Sequence, residues 1–265
     1  MTSENKASDN RAGETKAGEN KTGGWTIGFD GDDTLWHNES IFSMTQEKFR
    51  AMLGETLAAD IDRRLLDTER GNLGLFGYGI KGFILSMIET AIEVTDGRIE
   101  ARDIQSMIEA GKEMLRHPVE LLDGVAETVE YLSHSHRLVL VTKGDLFDQE
   151  SKIARSGLAE MFDAIEIVSE KDPATYRRVL ARHGIAPERF LMVGNSVRSD
   201  ILPVLEIGGQ AVHVPYHITW AHEHVEPPEN GYQRIDCMAE LTGIIHELGR
   251  PELGRPELGR HELGH

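Results

Sequence analysis

The sequence predicts an α/β protein, a parallel sheet covered on both faces by helices, with a block of helices inserted after the first strand. Beyond residue 119, short apolar runs alternate with amphipathic segments. The first and second strand candidates are separated by residues 30–136, far more chain than a simple crossover needs, and that interval reads as helix throughout. Both ends of the chain are polar and repetitive.

Taken in order, residues 1–24 are rich in Gly, Lys, Glu and Asn and read as a disordered arm. Trp25 to Phe29 is the first strand. The helical insert, residues 40–118, carries two apolar stripes at helical spacing. One is Ile80, Phe83, Ile84, Met87, Ile88, Ala91 and Ile92; the other is Ile104, Met107, Ile108, Gly111, Met114 and Leu115. It leaves just past the first strand and returns near Pro118, so it is expected to sit over that strand's end as a cap and shield it from water. Residues 25–39 and 119–245 form the expected core. Its later strands are Arg137 to Thr142, Ala164 to Val168, Phe190 to Val193 and Gln210 to Val214. The helices between them are Gly124 to Ser135, Leu146 to Gly157, Pro173 to His183 and Ser199 to Ile207. Asp172 before Pro173 suits an N-cap and first turn. From His246 a pentapeptide built on Glu-Leu-Gly repeats, which suggests a flexible tail over 246–265.

Composition narrows the function. A formal net charge of -17 over 265 residues argues against non-specific nucleic-acid binding, which needs clustered Lys and Arg. No apolar run approaches a membrane span, and the N-terminus lacks the apolar core of a signal peptide, so no membrane partner is expected. The single cysteine, Cys237, forms no internal disulfide and supports no structural zinc, which suits a cytoplasmic protein.

The most informative stretch is Asp30-Gly31-Asp32-Asp33-Thr34, directly after the first strand. Alternate strand residues face opposite ways, but where the strand breaks into a Gly-containing loop both carboxylates can turn toward one point above its tip. That arrangement fits phosphoryl transfer through an aspartate, one carboxylate attacking phosphorus while the other handles protons. Two carboxylates beside a phosphate dianion repel one another unless a cation intervenes, so Mg²⁺ is expected.

Three further motifs share this placement at strand ends. Thr142 closes Leu138-Val139-Leu140-Val141 and is followed by Lys143-Gly144-Asp145. Lys171 precedes Asp172-Pro173. Gly194-Asn195-Ser196-Val197-Arg198-Ser199-Asp200 follows Leu191-Met192-Val193. With these four motifs in this order, residues 25–225 resemble the haloacid dehalogenase-like hydrolases, a superfamily of Rossmann-like enzymes that mostly hydrolyse phosphate esters. The resemblance implies a three-layer Rossmann-like core with strand order 3-2-1-4-5, which puts the crevice between strands 1 and 4 at the topological switch point. It implies that Asp30 is the nucleophile and forms an aspartyl-phosphate. Asp32 would be the acid that protonates the leaving oxygen and then the base that activates water.

By the same resemblance Mg²⁺ is held by the Asp30 side chain, the Asp32 carbonyl and the fourth motif. There Asn195 stands where relatives usually carry Asp, and Asp200 either ligates directly or orients a metal-bound water. Thr142 and the N–H groups after it, Gly144 included, would bind phosphoryl oxygens, with Lys171 neutralising charge. Lys143, where many relatives have Asn, either adds a phosphate contact or points to solvent. The implied substrate is a small phosphorylated metabolite, and the sequence leaves the oligomeric state open. Dehalogenases of the family lack the second acid, so Asp32 favours phosphate chemistry. A phosphomutase keeps both acids and stays open on the motifs alone, as does a non-catalytic phosphate- or metal-binding regulatory protein.

Three other matches carry less. Gly77-Tyr78-Gly79-Ile80-Lys81-Gly82 fits a dinucleotide-loop pattern, but no strand precedes it. It reads better as the start of a cap helix, either offering Tyr78 and Lys81 to the substrate or simply turning the chain. His261-Glu262-Leu263-Gly264-His265 fits a zincin pattern but sits in the terminal repeat with no third ligand downstream. His213, His217, His222 and His224, around Tyr216 and Trp220, read as the rim of the crevice more readily than as a second metal site.

Overall fold

The computed structural model describes residues 24–54 and 58–249. The N-terminal arm, most of the terminal repeats and the His261–His265 motif lie outside the described residues. Six strands run in parallel: β1 Thr26–Phe29, β2 Arg137–Lys143, β3 Ala164–Val168, β4 Phe190–Gly194, β5 Gln210–His213 and β6 Gln233–Arg234. Their order is β3-β2-β1-β4-β5-β6. The expected five-strand order holds, and β6 extends it at the edge. With two exposed residues and no apolar alternation, β6 gives a sequence reader no strand signal.

The strands read as continuous apolar runs because both sheet faces are covered. Along β2, Leu138 and Leu140 join one core with Ile27, Phe29, Leu191 and Val193. Val139 and Val141 join a second core on the opposite face. Helices α5 Val125–Ser133, α6 Leu146–Ser156 and α9 Leu241–Leu248 flank the first face; α7 Pro173–Arg182 and α8 Leu202–Glu206 flank the second. Asp172 caps α7 as expected, its side chain accepting from the Thr175 N–H at 2.7 Å. The expected helix Ser199 to Ile207 is a buried π-helical turn, Val197–Ile201, running into the short α8. Helix α9 continues through His246 to Leu248, and Ile245 is buried in the first core.

The insert is four helices: α1 Glu39–Leu53, α2 Ala58–Phe76, α3 Ile80–Val94 and α4 Ala101–Arg116. Both stripes supply a third core of their own, with Ile80, Phe83, Ile84, Met87 and Ala91 of α3 packed on Met107 and Met114 of α4. Ile92 and Ile108, at the stripe edges, are exposed. The two connections run side by side: Trp36 bridges Leu121, the His37 N–H donates to the Glu120 carbonyl at 3.0 Å, and the Leu122 N–H to Leu35 at 3.0 Å. The insert is thus tethered by a paired hinge next to the acidic loop. No described helix is long and apolar enough to cross a membrane.

Candidate active site

Strand β1 is central, so the chain leaving it stands between the ends of β2 and β4. The Asp30 N–H is tied to the Val193 carbonyl at 2.9 Å, and the Leu35 N–H folds back on the Gly31 carbonyl at 2.8 Å. Gly31 permits the close approach of this turn to β2: a Cβ there would lie 2.8 Å from the Trp36 ring and 3.2 Å from Thr142 Oγ1. Asp33 takes a left-handed conformation, φ 59°, and its carboxylate accepts the Asn38 and Glu39 N–H groups that open α1. The two acids ahead of it are left to face the crevice.

Asp30 is 7% exposed, and it lines a cavity of about 170 Å³ between the strand ends and the insert. Its Oδ1 lies 2.5 Å from Lys171 Nζ, which also meets Asp200 Oδ1 at 2.7 Å. Lys171 and Asp200 are almost completely buried. Burial pushes Asp30 above the usual carboxylate range, Lys171 opposes this, and Asp200 adds to it. Burial disfavours the Lys171 ammonium, but Asp200 and Asp30 together hold it charged. Two carboxylates on one ammonium leave a buried surplus of negative charge, which a cation would relieve.

The fourth motif wraps this triad. Asp200 Oδ2 accepts the Ser196 N–H at 3.0 Å, and the carboxyl fills the space a Cβ at 194 would need, 2.3 Å away, so only glycine fits there. Thr34 Oγ1 sits 3.2 Å from Asp30 Oδ2 and 3.3 Å from Asn195 Oδ1, and accepts the Asn195 N–H at 3.0 Å. Asp30 and Asn195 therefore present oxygens around one hydroxyl. An oxygen-only donor set beside surplus negative charge fits a hard divalent cation.

Asp32 is held by residues outside all four motifs. Lys152 Nζ contacts both its oxygens at 2.9 and 3.0 Å, Gln149 Nε2 donates to Oδ2 at 2.9 Å, and Trp36 Nε1 to Oδ1 at 2.6 Å. Thr142 is buried and donates to Gln149 Oε1 at 3.2 Å; Gly144 lies on the cavity wall beside it. Lys143 does not point to solvent. Its ammonium pairs with Glu223, contacts Ser199 Oγ at 2.8 Å and lies 4.4 Å from the centre of the Tyr78 ring. Glu223 also accepts from Ser196 and Ser199 Oγ at 2.6 Å each. Burial would push Glu223 up, but Lys143 and these hydrogen bonds hold it at about 2.

The glycine-rich loop opens α3 toward the crevice, and its two candidates part. Tyr78 reaches the cavity wall, with its hydroxyl on Glu170 at 2.7 Å. Lys81 is off the cavity wall, its Nζ 2.9 Å from both oxygens of Asp145. Of the rim residues, Trp220 lines the cavity, while His213 turns inward to the Asn195 carbonyl at 2.9 Å and His37, unsuspected from sequence, meets Tyr216 Oη at 2.7 Å. Among the described residues no cluster of three or more His, Cys, Asp or Glu side chains is arranged to hold a metal. The expected cation site does not depend on such a cluster, since it draws on one carboxylate, one backbone carbonyl and one amide.

A family model described as haloacid dehalogenase-like hydrolase matches residues 26–208, which spans β1 to the end of α8 and all four motifs. The chain is a haloacid dehalogenase-like hydrolase. Its fold is similar to that of a haloacid dehalogenase-like family hydrolase from Xanthomonas campestris, with 45% identity and a TM-score of 0.77 over 88% of this chain and 95% of that one. Two archaeal proteins named glyceraldehyde 3-phosphate phosphatase are also similar. The one from Methanothermobacter thermautotrophicus is 31% identical over 44% of this chain and 54% of its own length, so the match spans about half of that relative. The one from Methanocaldococcus jannaschii is 23% identical over 83% of this chain and 96% of its own length. Against this family pattern, Lys152, Gln149 and Glu223 are the site residues that sequence reasoning missed. Lys152 and Gln149 follow Asp145 at helical spacing, on the face α6 turns to the crevice, and that periodicity is the signal that could have found them. Glu223 lies in a long loop without periodicity.

Proposed function

We propose that this hydrolase is a Mg²⁺-dependent phosphomonoesterase acting on a small phosphorylated metabolite through an aspartyl-phosphate. The observation that carries the reading is Asp30, at the cavity wall with one oxygen on Lys171 and the other on the Thr34 hydroxyl, which also meets Asn195 Oδ1. A carboxylate oxygen of Asp30 attacks phosphorus in line, the bond to the leaving oxygen breaks, and Asp32 gives that oxygen its proton. Asp32 then takes a proton from water, whose oxygen attacks phosphorus and frees the Asp30 carboxylate and inorganic phosphate. Lys171 offsets charge on Asp30 and the phosphoryl oxygens, while Thr142 and the N–H of Gly144 contact those oxygens and Lys143 stays paired with Glu223. Asp30, the Asp32 carbonyl and Asn195 would hold the magnesium, which when bound supplies positive charge between carboxylate and phosphoryl group. Asp200, with both oxygens already engaged, orients Lys171 and the Ser196 turn.

Residues 40–118 would cap the core, and the size of the cavity beneath them suits a small ester. The phosphatase names of the two archaeal relatives support the same substrate class. The test is phosphate release from p-nitrophenyl phosphate with and without Mg²⁺, beside halide release from a 2-haloacid. The expected result is metal-dependent phosphate release, abolished by a chelator and by Asp30→Asn, with no halide. Turnover that survives Asp30→Asn or needs no metal refutes it.

A further inference from the structure

Every lysine on the cavity wall is already committed to a carboxylate. Lys171 serves Asp30 and Asp200, Lys152 serves Asp32 and Asp148 at 2.9 and 3.3 Å, and Lys143 serves Glu223. Among the described residues no arginine or histidine lines the cavity. The insert lines the wall with apolar Phe42, Leu73 and Phe83 and with neutral polar groups, and its charged groups there, Glu39 of α1 and Glu69 of α2, are both acidic. Neither glutamate is in a salt bridge among the described residues. Burial, with Asp33 and Glu69 facing it, pushes Glu39 up to about 8. Lys81, the cation nearest this wall in sequence, is outside the cavity and paired with Asp145.

A phosphoryl group at Asp30 would have Lys171 and a magnesium to meet it. The rest of the substrate, projecting toward the insert, meets hydrogen-bonding groups and carboxylates but no available cation. A second anionic group there would be desolvated against like charge, a juxtaposition that costs orders of magnitude in affinity. Resting on the phosphomonoesterase reading, we propose that this cavity selects phosphate monoesters whose non-reacting part carries no negative charge, with Glu69 and Glu223 as the residues that reject a second anion. Glu69 acts by its own charge on the insert wall once it is ionised; Glu223 acts by cancelling Lys143. The class includes phosphorylated polyols, aldehydes and amines, and leaves out phosphorylated carboxylic acids and bisphosphates.

A matched pair isolates the charge, because glycerol 3-phosphate and 3-phosphoglycerate differ only in a CH₂OH against a carboxylate. With Mg²⁺ present at about pH 8.5, where Glu69 is ionised, kcat/KM for the neutral member should exceed that for the acid by about 100-fold. Glu69→Gln and Glu223→Gln should each narrow that ratio, by about fivefold. A loss of fold alone would lower both rates and leave the ratio where it was. The same pair titrated calorimetrically into Asp30→Asn protein reads the preference without turnover, so a failure of the hydrolase reading shows as no aryl-phosphate turnover while the binding preference persists. Equal or preferred use of 3-phosphoglycerate, a ratio unmoved by both substitutions, or binding of neither ester overturns the proposal.

Discussion

Lys152 and Lys81 are both lysines in ion pairs at the mouth of one crevice, yet they differ in what surrounds them. Lys152 is buried against Asp32, Asp148 and Asn38 Oδ1, whereas Lys81 is half exposed on Asp145. Removing one partner of a buried pair strands the other charge in a poor solvent, at a cost of about 3–5 kcal/mol; an exposed pair is worth under about 1 kcal/mol. Lys152→Met is therefore expected to lower unfolding stability by about 3 kcal/mol or more and, by freeing Asp32, to cut kcat by about tenfold or more. Lys81→Ala should leave stability within about 1 kcal/mol of the parent. Denaturant titration of both variants checks this, and equal losses would show that burial does not separate the pairs. Single side chains were the hardest feature to read from sequence. The carboxylates Asp30 and Asp32 stood out because a glycine-containing loop after an apolar strand has few other reasons to hold them. Lys81 looked like a substrate contact because its helix start faces the crevice, and only the position of Asp145 across the gap diverts it.

At the scale of elements, strands β1 to β5 and the helices between them were legible because a sheet buried on both faces imposes uninterrupted apolar runs. The insert was legible as helix, its stripes matching the buried faces of α3 and α4. Two elements departed from expectation for physical reasons. The turn after β4 closes as a π-helical turn because the Asp200 carboxyl must lie under Gly194 while accepting the Ser196 N–H, which displaces a regular helix start to Leu202. The long segment between β5 and α9 reads as featureless, since neither Glu223 nor β6 belongs to a periodic pattern. Glu223 nevertheless ties the end of β2 to the end of β4 across β1, through Lys143 on one side and Ser196 and Ser199 on the other.

For the whole molecule, the gathering of carboxylates around one cavity has a consequence for stability. Burial pushes Glu69 from 4.5 up to about 7, and Glu39, facing Asp33 and Glu69 as well, up to about 8. The folded protein thus keeps protons that the unfolded chain gives up above pH 4.5. Their contribution to stability is full below that value, falls as pH rises through the interval, and levels off beyond about 8. Glu69 alone accounts for about 3 kcal/mol of that loss. Denaturation midpoints between pH 5 and 8.5 should decline for the parent and decline less for Glu69→Gln; a flat profile, or one that rises, would show these groups to be ionised at no cost.

The nucleophilic role of Asp30 is the claim on which the rest depends, and acid quenching during turnover of p-nitrophenyl phosphate with Mg²⁺ tests it most directly. Mass mapping of the quenched protein should find one added phosphoryl group, on the peptide that contains Asp30, and none in Asp30→Asn. A phosphoryl group trapped on another residue, or efficient turnover with none trapped at any quench time, would contradict the account.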